Sequence, residues 1–279
     1  MKFSLLIAHY NNGKFFADCY HSILAQTHTD WDVVIVDDAS TDDSVRVIRD
    51  MIKNDPRFML YINDQHAGVG YTKRRCIELS ESACCGFIDP DDTLLPQALS
   101  VMNDAYIQNS DAVLFHSTLY FCNEKLEQQS VYKGAAAVDT SNKQFFNLNG
   151  AVAAFVTFSK AAYDKTEGID VYMQRAADQD LYIKMAETGS FHFINQPLYL
   201  YRRNPTGIST NNNVSKAHYW HWFAAMQGAK RRGVNLEENF INAFVAKKEF
   251  DHLQQIVNES GVYKLSKWLG PVLKWKSGK

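Results

Sequence analysis

The 279-residue chain is 46% hydrophobic and 13% aromatic with 22% charged side chains, which excludes a disordered or fibrous protein and allows one large domain with an appendage, or two joined domains. Its 29 basic and 31 acidic residues leave a net charge of −2, too small a field to gather a polyanion, so nucleic acid is excluded as a main partner. Five cysteines without a CxxC pair suggest neither a disulfide framework nor a zinc ribbon, and fit reduced thiols in a cytoplasm.

The apolar run at residues 3–8 is soon interrupted by His9 and Asn11, so it reads as a first strand and not as a signal peptide or membrane span. Further β-type runs fall at 33–36, 58–62 and 86–88, with amphipathic helical patterns at 14–26, 42–53 and 70–82 between them. This alternation predicts a mainly parallel sheet covered by helices on both faces, and the loops opening at His9, Asp37, Asn63 and Asp89 should then converge on one crevice. Ser40 and Thr41 suit the N-cap of the helix at 42–53, with Asp42 and Asp43 in its first turn. From 105 to 160 the pattern turns β-like and irregular, which predicts a mixed extension of the sheet; after Pro205 it becomes helical.

Three clusters at the predicted strand ends carry chemistry. Asp89-Pro90-Asp91-Asp92 crowds three carboxylates into four residues, and their repulsion is relieved by a hard cation such as Mg2+ or Mn2+ that also bridges phosphate oxygens. The same residues also read as an Asp-Pro turn capping a helix that starts near Leu94. Asp37-Asp38 ends a neighbouring strand, where a carboxylate accepts hydrogen bonds from a base N–H or a ribose hydroxyl; capping a helix is the alternative. Gly68-Val69-Gly70 leads into Lys73-Arg74-Arg75 but lacks both the third glycine of a dinucleotide fingerprint and the Gly-Lys-Ser/Thr ending of a P-loop. Lys73 can reach a diphosphate, whereas Arg75 reads as part of a solvated helix face.

Taken in order, the segments 4–12, 22–27, 36–42, 68–77 and 87–92 resemble the inverting family-2 glycosyltransferases of bacterial polysaccharide and glycolipid biosynthesis, over about residues 3–205. The resemblance implies the GT-A fold: an α/β protein with a Rossmann-like, mostly parallel central sheet flanked by helices, with a C-terminal helical extension. It places a catalytic domain at 1–210, divided into a nucleotide-sugar-binding half (1–105) and an acceptor-side half (106–210), and the extension at 211–279. It implies that Asp38 holds the nucleotide base, usually uracil, with Ala8 and Tyr10 lining the pocket and Gly68 in the same loop system. It implies that Asp91 contacts ribose or donor and that Asp92 holds the metal, Mn2+ or Mg2+. Lys73 stands where the family has Arg, keeping the cation but losing the bidentate fork.

Ala177-Asp178-Gln179-Asp180 resembles the family's acidic pair and aligns Asp178 with the general base that takes the acceptor hydroxyl's proton, although Ala177 replaces the usual Glu. Read without the family, Asp178 is a helix cap. Arg202 matches an Arg that helps bind the diphosphate, Asn204 replaces a frequent His, and the segment from Gly207 suits a lid. The expected reaction is inverting transfer of a hexosyl or N-acetylhexosaminyl group from a UDP-sugar to a glycan or lipid-linked glycan acceptor. A catalytically inactive nucleotide-sugar-binding scaffold module and a nucleotidyltransferase are the alternatives. The expected location is the cytoplasm, peripheral at the inner membrane face if the Lys- and Trp-rich tail at 263–279 touches lipid; Pro271 makes an ordinary terminal helix an equal reading. Tyr219, Trp220, Trp222 and Phe223 read as core at helical spacing, with an acceptor platform as the alternative, and His9, His66 and His116 read as structural.

Overall fold

In the computed structural model the described residues are 1–204 and 213–259. The chain divides into one compact unit, Met1–Arg232, and a second beginning at Gly233. In the first unit, strands β1 (Phe3–His9), β2 (Trp31–Asp37), β3 (Phe58–Ile62) and β4 (Cys84–Phe87) alternate with helices α1 (Phe16–Leu24), α2 (Ser44–Ile52) and α3 (Val69–Leu79). These are the elements expected from the periodicity, and they pair in parallel in the order β3-β2-β1-β4.

Every residue of β2 and nearly every residue of β1 is buried, because helices cover both faces of this sheet. On one face Leu5, Ile7, Val33 and Ile35 pack with Phe16, Cys19 and Ile23 of α1 and with Ile48 and Ile52 of α2. The apolar spacing in α1 and α2 is that of a single helical stripe. On the other face α3 buries Cys76 and Ile77. The polar exceptions inside the strands satisfy one another: Ser4 Oγ donates to Asp32 Oδ1 at 2.6 Å across the β1–β2 register, and Lys2 Nζ lies 2.6 Å from Asp32 Oδ2.

The second half is the mixed extension. β8 (Ala153–Ser159) joins β4 antiparallel and carries β6 (Ala112–Cys122); β9 (Ser190–Arg202) runs parallel to β6, and β5 (Thr93–Leu94) closes the edge against β9. β7 (Gln128–Val131) pairs with β6 off this path. The helices here are α4 (Ala98–Gln108), α5 (Lys160–Tyr163), α6 (Ala177–Met185) and α7 (Val214–Arg232). Because α7 packs on α6, the first unit runs past residue 210, where the sequence placed its boundary. The second unit contains α8 (Glu237–Glu259), at whose start Asn235 Oδ1 accepts from Glu237 N at 2.9 Å. Among the described residues no helix is long and apolar enough to cross a membrane. The expected lid at Gly207 and the tail at 263–279 lie outside the described residues.

Two local expectations are corrected. No side chain caps α2; Ser40 instead gives its backbone N–H and its hydroxyl to Asp37, at 2.8 and 2.6 Å, because that buried carboxylate demands more donors than an exposed helix end. No helix starts near Leu94: Thr93 and Leu94 pair with β9, and α4 begins at Ala98.

The close packing of α3 against the segment before α6 depends on Gly70. Its N–H donates to Met173 O at 2.9 Å, and a Cβ there would lie 2.4 Å from Asp170 O and 2.8 Å from Met173 O. Backbone oxygens cannot rotate out of the way, so Gly70→Ala is expected to destabilise the protein by about 1–3 kcal/mol, read as a lowered urea midpoint with the m-value unchanged. An unchanged midpoint shows that the two segments separate without cost.

Candidate active site

The β-sheet register brings the carboxyl ends of the parallel strands level: His9 lies opposite Asp37, and Asp37 opposite Ile62, so Asn63 follows alongside. Leu6 pairs with Phe87, which sets Asp89 just beyond the same edge. The four expected loops therefore do meet in one crevice.

On its β2 side, Asp37 is buried and accepts from His9 Nδ1 at 2.8 Å as well as from Ser40. Burial alone would raise its carboxyl, but the bonds from His9 and Ser40 outweigh this and hold it below the usual carboxylate range. Asp38, 3% exposed, accepts from Asn63 Nδ2 at 2.7 Å, Ala67 N at 2.9 Å and Gly68 N at 2.8 Å, and pairs with His66 Nδ1 at 2.9 Å. Its carboxylate thus ties the 63–68 loop to β2. Gly68 takes φ 92, a conformation side chains rarely adopt, so that its N–H can point at Asp38. Ala39, between the two bonded segments, is also left-handed with φ 58. Tyr10 is 41% exposed and its ring stacks on His66 at 4.2 Å, while Ala8 lies in β1 beside Val36. His66 and Asn63 are partners of Asp38 that the motif did not reveal, although both stand in the loop between Asp38's strand and Gly68.

The Asp89–Asp92 turn is closed by Asp92 N donating to Asp89 O at 3.0 Å. Asp92 is 2% exposed: its Oδ1 accepts from Arg202 N at 2.7 Å, and Tyr199 of β9 lies against it, its hydroxyl accepting from Asp89 N at 3.0 Å. Burial first, then the charges of Asp89 and Asp91, push the Asp92 carboxyl well above the carboxylate range. Asp89, whose side chain is 46% exposed, is raised by desolvation, with Lys73 opposing and Asp178 and Asp91 adding. The carboxylates open to the crevice are Asp89 and Asp91, both half-buried, and not Asp92.

Arg202 is 4% exposed and fully engaged by its own chain. It donates Nε to Asp91 O at 2.7 Å and Nη2 to Asp18 Oδ2 at 2.6 Å, bonds Glu124 O through Nη1, and lies over the Phe15 ring at 4.5 Å. It braces the acidic turn from behind. The guanidinium expected at the diphosphate thus divides its donors between Asp91 O of the turn, Asp18 of α1 and Glu124 O after β6.

Across the crevice, Asp178 sits in the first turn of α6 with its side chain 42% exposed. No side chain caps this helix; Ala176 before it is left-handed with φ 55. Asp178 Oδ1 instead accepts from Lys73 Nζ at 2.5 Å. That ammonium is buried, lies 3.4 Å from Asp89 Oδ1, and covers the Phe87 ring at 4.8 Å. Desolvation would lower Lys73, but the charges of Asp178 and Asp89 more than reverse it and hold the ammonium above the usual lysine value. Asp180 plays a different part. Only 2% exposed, it pairs with Lys184 Nζ at 2.8 Å and accepts from Asp170 N at 2.8 Å, fixing the start of α6. The structure thus brings Lys73, Asp89 and Asp178 together, with Asp91 beside Asp89 in the acidic turn, while Asp38, Asp92 and Arg202 are bonded within the surrounding protein.

Among the described residues no three His, Cys, Asp or Glu side chains are grouped as ligands of one ion. A hard divalent ion bound by one or two carboxylates, with water and substrate phosphates completing its shell, does fit Asp89 and Asp91, whose mutual repulsion it would relieve.

Known proteins share the sequence pattern and the fold of this chain. A chondroitin synthase of Escherichia coli is 29% identical over 201 residues, covering 70% of this chain and 28% of that protein. A hyaluronan synthase of Pasteurella multocida is 23% identical over 239 residues, covering 83% of this chain and 23% of that protein. The chain thus spans about a quarter of the length of these synthases. An uncharacterized glycosyltransferase of Nostoc sp. is 26% identical over 258 residues, covering 88% of this chain and 76% of that one. Among solved structures, S. aureus TarS 1–349 in complex with UDP-GlcNAc superposes with a TM-score of 0.66 at 18% identity, over 95% of this chain and 75% of that one, which shows the GT-A fold. The model of glycosyl transferase family 2 matches residues 4–166, more than half of the sequence, and the chain belongs to that family.

Proposed function

We propose that the chain transfers a hexosyl or N-acetylhexosaminyl group from a UDP-sugar to a hydroxyl of a glycan or lipid-linked glycan acceptor, with inversion, in surface polysaccharide or glycolipid assembly. The observation that carries this reading is the buried Lys73 ammonium held between Asp89 at the donor-side strand end and the half-exposed Asp178 on the opposite wall. The relatives named as chondroitin and hyaluronan synthases support a role in making a glycan, and the structural neighbour solved with UDP-GlcNAc supports a nucleotide-sugar donor.

In this mechanism Asp178 takes the proton of the acceptor hydroxyl as its oxygen forms the bond to the anomeric carbon, while the bond from that carbon to the diphosphate oxygen breaks and UDP departs. Lys73 fixes one oxygen of Asp178 and leaves the other for the proton. Its charge also faces the departing diphosphate, where a fixed cation in a partly desolvated cleft stabilises developing charge. A Mn2+ or Mg2+ ion on Asp89 and Asp91 would supply further neutralisation of the diphosphate. Asp92, the ligand expected from the sequence, acts in this proposal from behind, by anchoring the turn to Arg202 and Tyr199. The 63–68 loop, Tyr10 and Asp38 form the region proposed for the base.

Two outcomes follow. UDP with Mn2+, and not GDP, CMP or ADP, is expected to raise the melting temperature; at a hundred times Kd the stabilisation is about 2.7 kcal/mol. The effect should vanish in Asp91→Asn, and a full shift without metal would remove the ion from the mechanism. Asp178→Asn is expected to lower kcat for UDP release by about 10²–10⁴-fold while leaving the UDP-induced shift in place. Retention of kcat in that variant would transfer the base role to another group.

A further inference from the structure

Beyond the acidic crevice, the first unit carries an exposed cluster of aromatic rings that the mechanism does not use. Tyr172, in the segment before α6, is 62% exposed, and Tyr219 on α7 is 60% exposed. Tyr172 meets Trp220 edge-on at 5.4 Å and Phe223 at 6.0 Å; Tyr219 meets Trp220 at 5.4 Å and stacks with Phe223 at 6.5 Å. Trp220 is 9% exposed, so it forms the base on which the two tyrosines stand. The helical spacing of Tyr219, Trp220 and Phe223 therefore produces both of its sequence readings: a core ring at Trp220 and open rings beside it.

This face is continuous with the reaction centre. The segment bearing Tyr172 is bonded to α3 through Gly70 N and Met173 O, and Gln174 lies against Gly68. The same segment runs on into α6, whose first turn holds Asp178. On α7, His221 follows Trp220 and lies within reach of the Asp178 charge: burial and His218 hold its imidazole below the usual range, and Asp178 opposes them. The segment that carries Tyr172 thus leads directly into the turn of α6 that holds Asp178. Around the rings are hydrogen-bonding groups, the Tyr172 and Tyr219 hydroxyls and the His218 and His221 imidazoles.

We propose that Tyr172 and Tyr219, backed by Trp220 and Phe223, form an acceptor-glycan subsite that stacks a pyranose ring and leads its terminal hydroxyl toward Asp178. The axial C–H bonds of a pyranose carry partial positive charge and pack against the negative face of an aromatic ring, while its equatorial hydroxyls reach donors and acceptors at the ring edges. An aliphatic lipid surface would not need those polar edges. The proposal rests on Asp178 being the acceptor-side base.

The test is binding of the whole chain, with UDP and Mn2+ present, to an immobilised array of hexasaccharides built of hexose, N-acetylhexosamine and hexuronic acid. Wild-type protein should be retained by at least one series. Tyr172→Ala/Tyr219→Ala should lose retention by about tenfold or more, and Tyr172→Phe/Tyr219→Phe should lose clearly less, because the ring faces carry the stacking and the hydroxyls add only edge contacts. The UDP-induced melting shift should be the same in all three proteins, which also shows that the variants are folded. Wild-type protein that responds to UDP but binds no hexasaccharide overturns the subsite and leaves the donor reading standing. Equal retention of the alanine variant overturns it as well, as does an alanine variant whose only defect is lost vesicle binding or lost self-association. A protein that binds glycan without any response to UDP keeps the subsite and overturns the donor reading.

Discussion

The site depends on one buried ammonium. Lys73 projects from the first turns of α3, 4% exposed, and reaches Asp178 at 2.5 Å and Asp89 at 3.4 Å. A lysine in so little water is costly unless carboxylates surround it, and carboxylates so close to one another are costly unless a cation sits among them. Each solves the other's problem. The ammonium also joins two parts of the chain, since Asp89 ends β4 of the parallel half and Asp178 opens α6 after the mixed extension. Whatever enters the crevice meets two walls already locked together by charge.

Around this pair the other acids of the motifs hold the walls in place. Asp38 gathers four donors from residues 63–68, Asp92 is tied to Arg202 and Tyr199, and Asp180 neutralises Lys184 inside the packing of α6. Such bonded buried carboxyl groups make rigid corners, because removing a partner leaves a polar group unsatisfied in a poor solvent. Ala39, beside Asp38, and Ala176, shortly before Asp178, are left-handed. Backbone strain at the two acid sites fits positions where geometry is over-determined by the surroundings.

Much of this was legible along the chain. The apolar runs and helical stripes fixed β1 to β4 and α1 to α3 within a few residues, since both faces of that sheet are covered and the patterns are strong. The convergence of the loops at His9, Asp37, Asn63 and Asp89 followed from strand ends alone. Less visible was the division of labour among like residues. Three aspartates in four positions are indistinguishable as letters, yet Asp92 turns inward to Arg202 while Asp89 meets Lys73. Tyr199 reads as an ordinary strand aromatic, and His66 reads as structural without its partner Asp38 being visible.

Local sequence determined the family, the alternation of strands and helices, and the acidic and glycine-containing loops that must gather at one sheet edge, because periodicity and turn chemistry are short-range properties. Only the tertiary structure decided which carboxylate faces the crevice, which braces it, and which lysine stands among them. Burial and partner choice depend on residues far apart in the chain: Lys73 with Asp178, Asp92 with Arg202, Tyr172 with Trp220. In a low-dielectric interior those distant partners, and not the identity of the residue, set its charge, its orientation and its role.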